Sequence, residues 1–178
     1  MNLALLDALL IFLAGHKGLS GYDIRQLFQA TPLGVFSASP GSIYPSLARL
    51  EKRGLLKSTC EASGRRRRSY ARTAEGGKAL RAWLARPIED EAKLWPGEVE
   101  LRFVMLAEAL GWAQATRFLA SIETLYAAKL KDLDRFMAGP GAVMSRASCA
   151  AVELGMRTYR LRIQWCRELQ RRRGRTRA

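Results

Sequence analysis

Ser39-Pro-Gly-Ser-Ile-Tyr-Pro-Ser-Leu-Ala-Arg-Leu-Glu-Lys-Arg-Gly54 is followed, eleven residues on, by Arg65-Arg-Arg-Arg68. Ile43, Leu47 and Leu50 recur at helical spacing and mark an inward stripe. Ser42, Ser46, Arg49 and Arg53 then point away from it. Pro45 falls in the first turns, where a missing amide costs little. Gly54 is a helix stop. Residues 55–60 and 69–73 read as two strands around a turn at 64–68. A short helix with a slender, polar start, followed by a basic hairpin, is the pattern of a winged helix-turn-helix.

The chain before this stretch supplies two more helices. Leu3, Leu6, Leu10 and Leu13 share a face that Leu5 and Leu9 widen, so the first helix is buried on most sides. Ser20 and Asp23 have capping-box character and open a second helix carrying Ile24, Leu27 and Phe28. After the hairpin, Thr73 caps a fourth helix through Leu80, Trp83 and Leu84. Gly76 and Gly77 in its first turn signal a close backbone approach or a loose start. Residues 1–86 therefore read as a winged helix-turn-helix domain and 87–97 as a linker. Residues 98–178 read as a three-helix domain with a basic tail.

In that second half, Val99, Phe103, Leu106 and Leu110 mark one helix. Leu119, Ile122, Tyr126, Leu130, Leu133 and Met137 mark another at alternating spacings of three and four. The last helix, near 143–172, carries two apolar stripes. One holds Val152, Met156, Tyr159, Ile163 and Cys166; the other holds Leu154, Leu161, Trp165 and Leu169. Three helices cannot bury all of this against one another, which points to a second copy of the chain. Leu119, Ile122, Tyr126, Leu154, Tyr159, Leu161 and Trp165 are the candidate dimerisation residues. The alternative is packing onto the N-terminal half. The fold class is mainly α with a small β-hairpin.

Charge names the partner class. The 178 residues hold 30 Lys and Arg against 16 Asp and Glu, a formal net charge of +14. Residues 1–86 carry 14 basic and 5 acidic groups, a net of +9. A polyanion is the natural partner. Ser39, Gly41 and Ser42 let a backbone approach a groove, and the first-turn amides suit a phosphate. Tyr44 can lay its ring on a sugar or thymine methyl, or it can be core. Arg49 and Arg53 can reach phosphates or stay solvated. Arg65, Arg66, Arg67 and Arg68 repel one another unless a polyanion neutralises them. The candidate DNA-binding set is Ser39, Gly41, Ser42, Tyr44, Pro45, Arg49 and Arg65 to Arg68.

Catalysis finds little support. His16 is the one histidine in the chain, and no nucleophile or nucleotide-binding glycine motif accompanies it. Cys60, Cys149 and Cys166 lack metal-ligand spacing, so no cofactor or metal is expected. The apolar opening is short and interrupted by Asp7, which argues against a signal peptide or membrane span. A cytoplasmic location is expected. A non-specific architectural or RNA-binding protein would share the charge and stands as the alternative.

The ordered set Ser20-Gly-Tyr-Asp-Ile24, Gly41-Ser-Ile-Tyr-Pro45, Leu47 to Leu50-Glu51, Gly54-Leu55, Tyr70 with Thr73-Ala-Glu-Gly76, and Leu80 resembles the PadR family of bacterial transcriptional regulators. The pieces cover residues 3–86. The second half resembles a subfamily with a three-helix dimerisation domain. The resemblance implies a homodimer on a pseudo-palindromic operator, usually a repressor, with a recognition helix starting at Ser39 and the hairpin as wing. It also implies a response to phenolic or other planar apolar compounds. Trp95, Trp112 and Trp165 are candidates for such a site, or are core aromatics. The Arg65 to Arg68 run is more basic than a typical wing of the family, which favours phosphate contact over base reading there.

Overall fold

The computed structural model describes residues 3–16, 19–30, 40–60, 68–90 and 94–172. The chain divides into two compact units, Met1–Arg86 and Pro87–Ala178. The first contains helices α1 (Leu5–Leu13), α2 (Gly21–Ala30) and α3 (Pro40–Lys52). Strands β1 (Leu56–Cys60) and β2 (Arg68–Arg72) and helix α4 (Ala74–Leu84) follow.

Local chemistry sets each boundary. At α2, the Ser20 amide donates to the Asp23 carboxylate at 2.9 Å and the Asp23 amide donates to Ser20 Oγ at 3.2 Å. That exchange satisfies two amides that a helix start leaves open. At the end of α3, Gly54 takes φ +69°. Its amide donates to the Glu51 carbonyl at 2.8 Å, and Leu55 N–H donates to the Leu50 carbonyl at 3.0 Å. This pair of bonds is a Schellman closure, and it needs a residue that tolerates positive φ. At α4, Thr73 Oγ1 accepts from the Gly76 amide at 3.0 Å.

The hairpin is antiparallel, with Leu56 opposite Arg72, Ser58 opposite Tyr70 and Cys60 opposite Arg68. Its outer edge is pinned by the chain that enters α2. Tyr70 N–H donates to the Leu19 carbonyl at 3.0 Å, and Ser20 bridges to Ser69. The core beneath is apolar and closed. Leu9, Leu10, Ile11, Ile24, Phe28, Ile43, Leu47, Leu50, Leu56 and Leu80 are all fully buried. Each such side chain contributes roughly 1.5–3 kcal/mol over its exposed state.

The second unit has helices α5 (Glu98–Leu110), α6 (Trp112–Ala138) and α7 (Arg146–Arg171). Gly111, at φ +91°, turns the chain between α5 and α6. Ser145 caps α7 by accepting from the Ser148 amide at 3.2 Å, which starts that helix later than the apolar pattern alone suggests. Helices α6 and α7 run antiparallel, since Trp112 Nε1 donates to the Arg172 carbonyl at 2.8 Å. The core is Val99, Leu119, Ile122, Tyr126, Ile163, Cys166 and Leu169, and Ile88 and Leu94 pack against it.

Arg167 Nε and Gln170 Nε2 both donate to Glu123 across the α6–α7 seam, at 2.6 and 2.9 Å. These bonds hold the Glu123 carboxyl below its usual range. Burial pushes the Cys166 thiol up to about 11. Its thiolate fraction at about pH 8 is then roughly one part in a thousand. Cys166 is expected to ignore a disulfide reagent in the native protein, whereas the exposed Cys60 reacts. Thiol counting before and after denaturation checks this. A fast-reacting native Cys166 would contradict the packing of the α6–α7 seam.

Candidate nucleic-acid interface

Helix α3 separates its faces cleanly. Ile43, Leu47 and Leu50 are fully buried, whereas Gly41, Tyr44, Pro45, Ala48, Arg49 and Lys52 are exposed. The outward set steps by three and four, so it forms one ridge along the helix. Ser42 lies half-buried at its start. Ala48 and Lys52 were not among the residues singled out by sequence. Their spacing from Tyr44 and Pro45 was the signal that places them on the ridge.

Tyr44 is 43% exposed. One edge of its ring rests on Gly21 of α2, where an added Cβ would lie 2.6 Å from Tyr44 Cε1. A side chain at position 21 would push the ring away, so Gly21 helps set where Tyr44 stands. Pro45 is the sixth residue of α3, not part of its opening turn. Its nitrogen sits where an amide would donate to the Gly41 carbonyl. The expectation that this position falls among unneeded amides is therefore not met, and the proline marks a local interruption on the ridge itself. Ser46, expected to point outward, is buried at 5% exposure.

The arginines are more committed than their sequence suggests. Arg49 Nη2 donates to Asp7 Oδ1 at 2.5 Å and to Ser46 Oγ at 3.1 Å. Arg53 Nη1 lies 3.9 Å from Asp7 Oδ2. Arg68, expected at the turn, is a β2 residue opposite Cys60. Its Nη2 donates to Glu51 Oε2 at 2.8 Å and its Nε donates to Ser58 Oγ at 2.8 Å. Ser58 Oγ in turn donates to Glu51 Oε1 at 2.6 Å, and the guanidinium lies 5.9 Å from the centre of the Tyr70 ring. Burial raises the Tyr70 pKa, opposed by Arg68. Glu51 thereby ties the base of the hairpin to the end of α3. Ser39, Arg65, Arg66 and Arg67 lie outside the described residues.

Residues 9–82, which hold this helix and hairpin, match the transcriptional regulator PadR-like family. That stretch is similar to a PadR-like domain. No curated protein matches the chain at a significant level. Among solved structures, Bacillus subtilis PadR in complex with operator DNA is 22% identical. That match covers 96% of this chain and 98% of that one, at a TM-score of 0.46. Bacillus subtilis PadR in complex with p-coumaric acid is 24% identical, with 94% and 97% covered and a TM-score of 0.42. The Vibrio cholerae virulence activator AphA is 20% identical, with 93% and 95% covered and a TM-score of 0.39.

Outside the matched stretch, the three tryptophans of the second unit do not form one group. Phe103 meets Trp112 and Trp165 edge to face, at 5.4 and 5.7 Å between centroids. All three rings pack against the core. Trp95 instead lies 64% exposed on a cleft of about 190 Å³ shared with Tyr126 and Arg162. The seven candidate dimerisation residues also divide. Leu119, Ile122 and Tyr126 are interior to the unit, and Tyr159 and Trp165 pack against them. Leu154 and Leu161 stand outward at 67% and 66% exposure. Among the described residues, no three of His, Cys, Asp or Glu gather in a metal-binding group, and no helix is long and apolar enough to cross a membrane.

Proposed function

We propose that the chain is a sequence-specific DNA-binding regulator, a homodimeric repressor, that reads its operator with the outer ridge of α3. The observation that carries this reading is the ridge. Gly41, Ser42, Tyr44, Pro45 and Ala48 are slender or flat, with hydroxyl donors at 42 and 44, and the opposite stripe is sealed in the core. A helix must present small residues to bring its backbone close to base edges. Lys52 and the basic run at 65–67 supply phosphate contacts, which give affinity more than sequence choice.

Pairing through the second unit supports reading of two half-sites, and the exposed Leu154 and Leu161 on α7 are proposed as part of that surface. Such a protein works in the cytoplasm, where the DNA is. A small planar aromatic ligand is proposed to dock in the cleft beside Trp95 and Arg162. That volume is below the ~300–1,000 Å³ of ordinary ligand pockets.

Selection of bound sequences from a random duplex pool tests this reading. Two inverted half-sites about one helical turn, ~34 Å, apart are expected. The selected site should outcompete random duplex by ~10³-fold or more at moderate salt. A ratio near one would establish a non-specific basic protein instead. Repeating the binding with an added phenolic acid tests modulation, and an unchanged Kd removes it.

A further inference from the structure

We propose that Asp7 is the positioning residue of the reading helix: it holds Arg49 and Arg53 against α1, so that they brace α3 instead of gripping phosphate. The inference rests on the DNA-reading function proposed above. Asp7 is the one acid in α1, flanked by Leu6, Ala8, Leu9 and Leu10, and it is 4% exposed. Its two oxygens are divided between two arginines, Oδ1 taking Arg49 on α3 and Oδ2 facing Arg53 just past the end of α3. Arg49 spends the same nitrogen on Ser46, which is itself buried.

A carboxylate among apolar side chains must be paired, and charge-assisted bonds of this length are the strong kind. A phosphate that drew Arg49 away would leave Asp7 facing Arg53 alone at 3.9 Å. Arg49 therefore stays on Asp7 although half of its side chain is exposed. Two points of attachment a turn apart also resist rotation of α3 about its own axis. Rotation is the motion that would turn Tyr44 and Pro45 away from a groove. A lone acid in a leucine-rich helix thus has two effects: it fixes the ridge, and it removes two cations from the sequence-blind part of binding.

The test compares full-length wild type, Arg49→Gln and Asp7→Asn. Each is titrated with a random-sequence duplex between about 50 and 200 mM salt, and with the selected site. Each phosphate contact contributes about 0.9 to the slope of log K against log salt. Arg49→Gln is expected to weaken binding to the selected site while keeping the wild-type slope on random duplex. A slope shallower by about 0.9 would make Arg49 a phosphate contact and overturn the proposal.

Asp7→Asn is expected to steepen the slope by about 0.9 for each arginine released. It should also lower the preference for the selected site at least about tenfold. An unchanged slope in folded Asp7→Asn overturns the proposal as well. If Asp7→Asn does not fold, Arg49→Gln decides alone. Wild-type protein that binds no duplex at low salt defeats the DNA reading itself, a result distinct from either slope.

Discussion

Gly76→Ala is expected to destabilise the first unit by about 3 kcal/mol, whereas Gly77→Ala, one residue on, is expected to stabilise it by up to about 1 kcal/mol. The two glycines look alike in sequence, and their surroundings separate them. A Cβ on Gly76 would lie 2.1 Å from the Leu55 carbonyl oxygen, which is backbone and has nowhere to go. That carbonyl is held in place because it accepts from the Thr73 amide at 3.2 Å and from Thr73 Oγ1 at 3.1 Å. An alanine there must lift α4 off the base of the hairpin and break the Thr73 cap. A Cβ on Gly77 would meet only the ends of Arg81 and Arg72, at 3.6 and 3.9 Å, which is ordinary contact. Its replacement simply removes a poor helix former. Urea unfolding followed by circular dichroism, with amide exchange in α4 to assign the unit, measures both. For a domain of this size the Gly76→Ala loss corresponds to a fall in Tm of more than about 10 °C. Equal effects at the two positions would mean that the Leu55 carbonyl does not sit where the structure puts it.

What was legible in the sequence is what lies within a few residues of itself. The Ser20–Asp23 exchange, the Thr73 cap and the Gly54 closure each join groups three to five positions apart, so type and spacing suffice to read them. The Ile43, Leu47 and Leu50 stripe is equally local. The committed arginines were not legible for the opposite reason. Arg49 and Asp7 are 42 residues apart, and Arg68 and Glu51 are 17 apart. Composition displays a positive charge without showing the carboxylate that answers it.

The second unit teaches the same point about apolar stripes. Periodicity identifies stripes on α6 and α7, but which of them faces inward depends on what the neighbouring helices cover. Leu169, placed by pattern with Leu154 and Leu161, is buried with Ile163 and Cys166 instead. The buried Glu98 and Arg102 pair, 3.6 Å apart on α5, likewise carries no mark in a helix whose charges look like any solvated set.

Replacing both Leu154 and Leu161 with glutamate is expected to convert the proposed dimer to a monomer. Dissociation should strengthen at least about a hundredfold, or roughly 2.7 kcal/mol. The two leucines sit two helical turns apart on α7, about half a turn of the helix away from Ile163, whose side chain enters the core. Single exposed leucines need no explanation. Two aligned on the face opposite the core are costly to leave in water, and the proposed pairing with a second copy would cover them. Glutamate keeps the helix, because its intrinsic propensity is close to that of leucine. Neither position touches the Leu119, Ile122 and Tyr126 core, so the fold of the unit is expected to persist by circular dichroism. Inside an interface, however, each carboxylate would be stripped of water. Light scattering or sedimentation at micromolar concentration reads the outcome. The monomer should also lose the symmetric two-half-site footprint while retaining salt-dependent binding to random duplex, since α3 and the wing are untouched. A double variant that remains dimeric would remove this face of α7 from the interface.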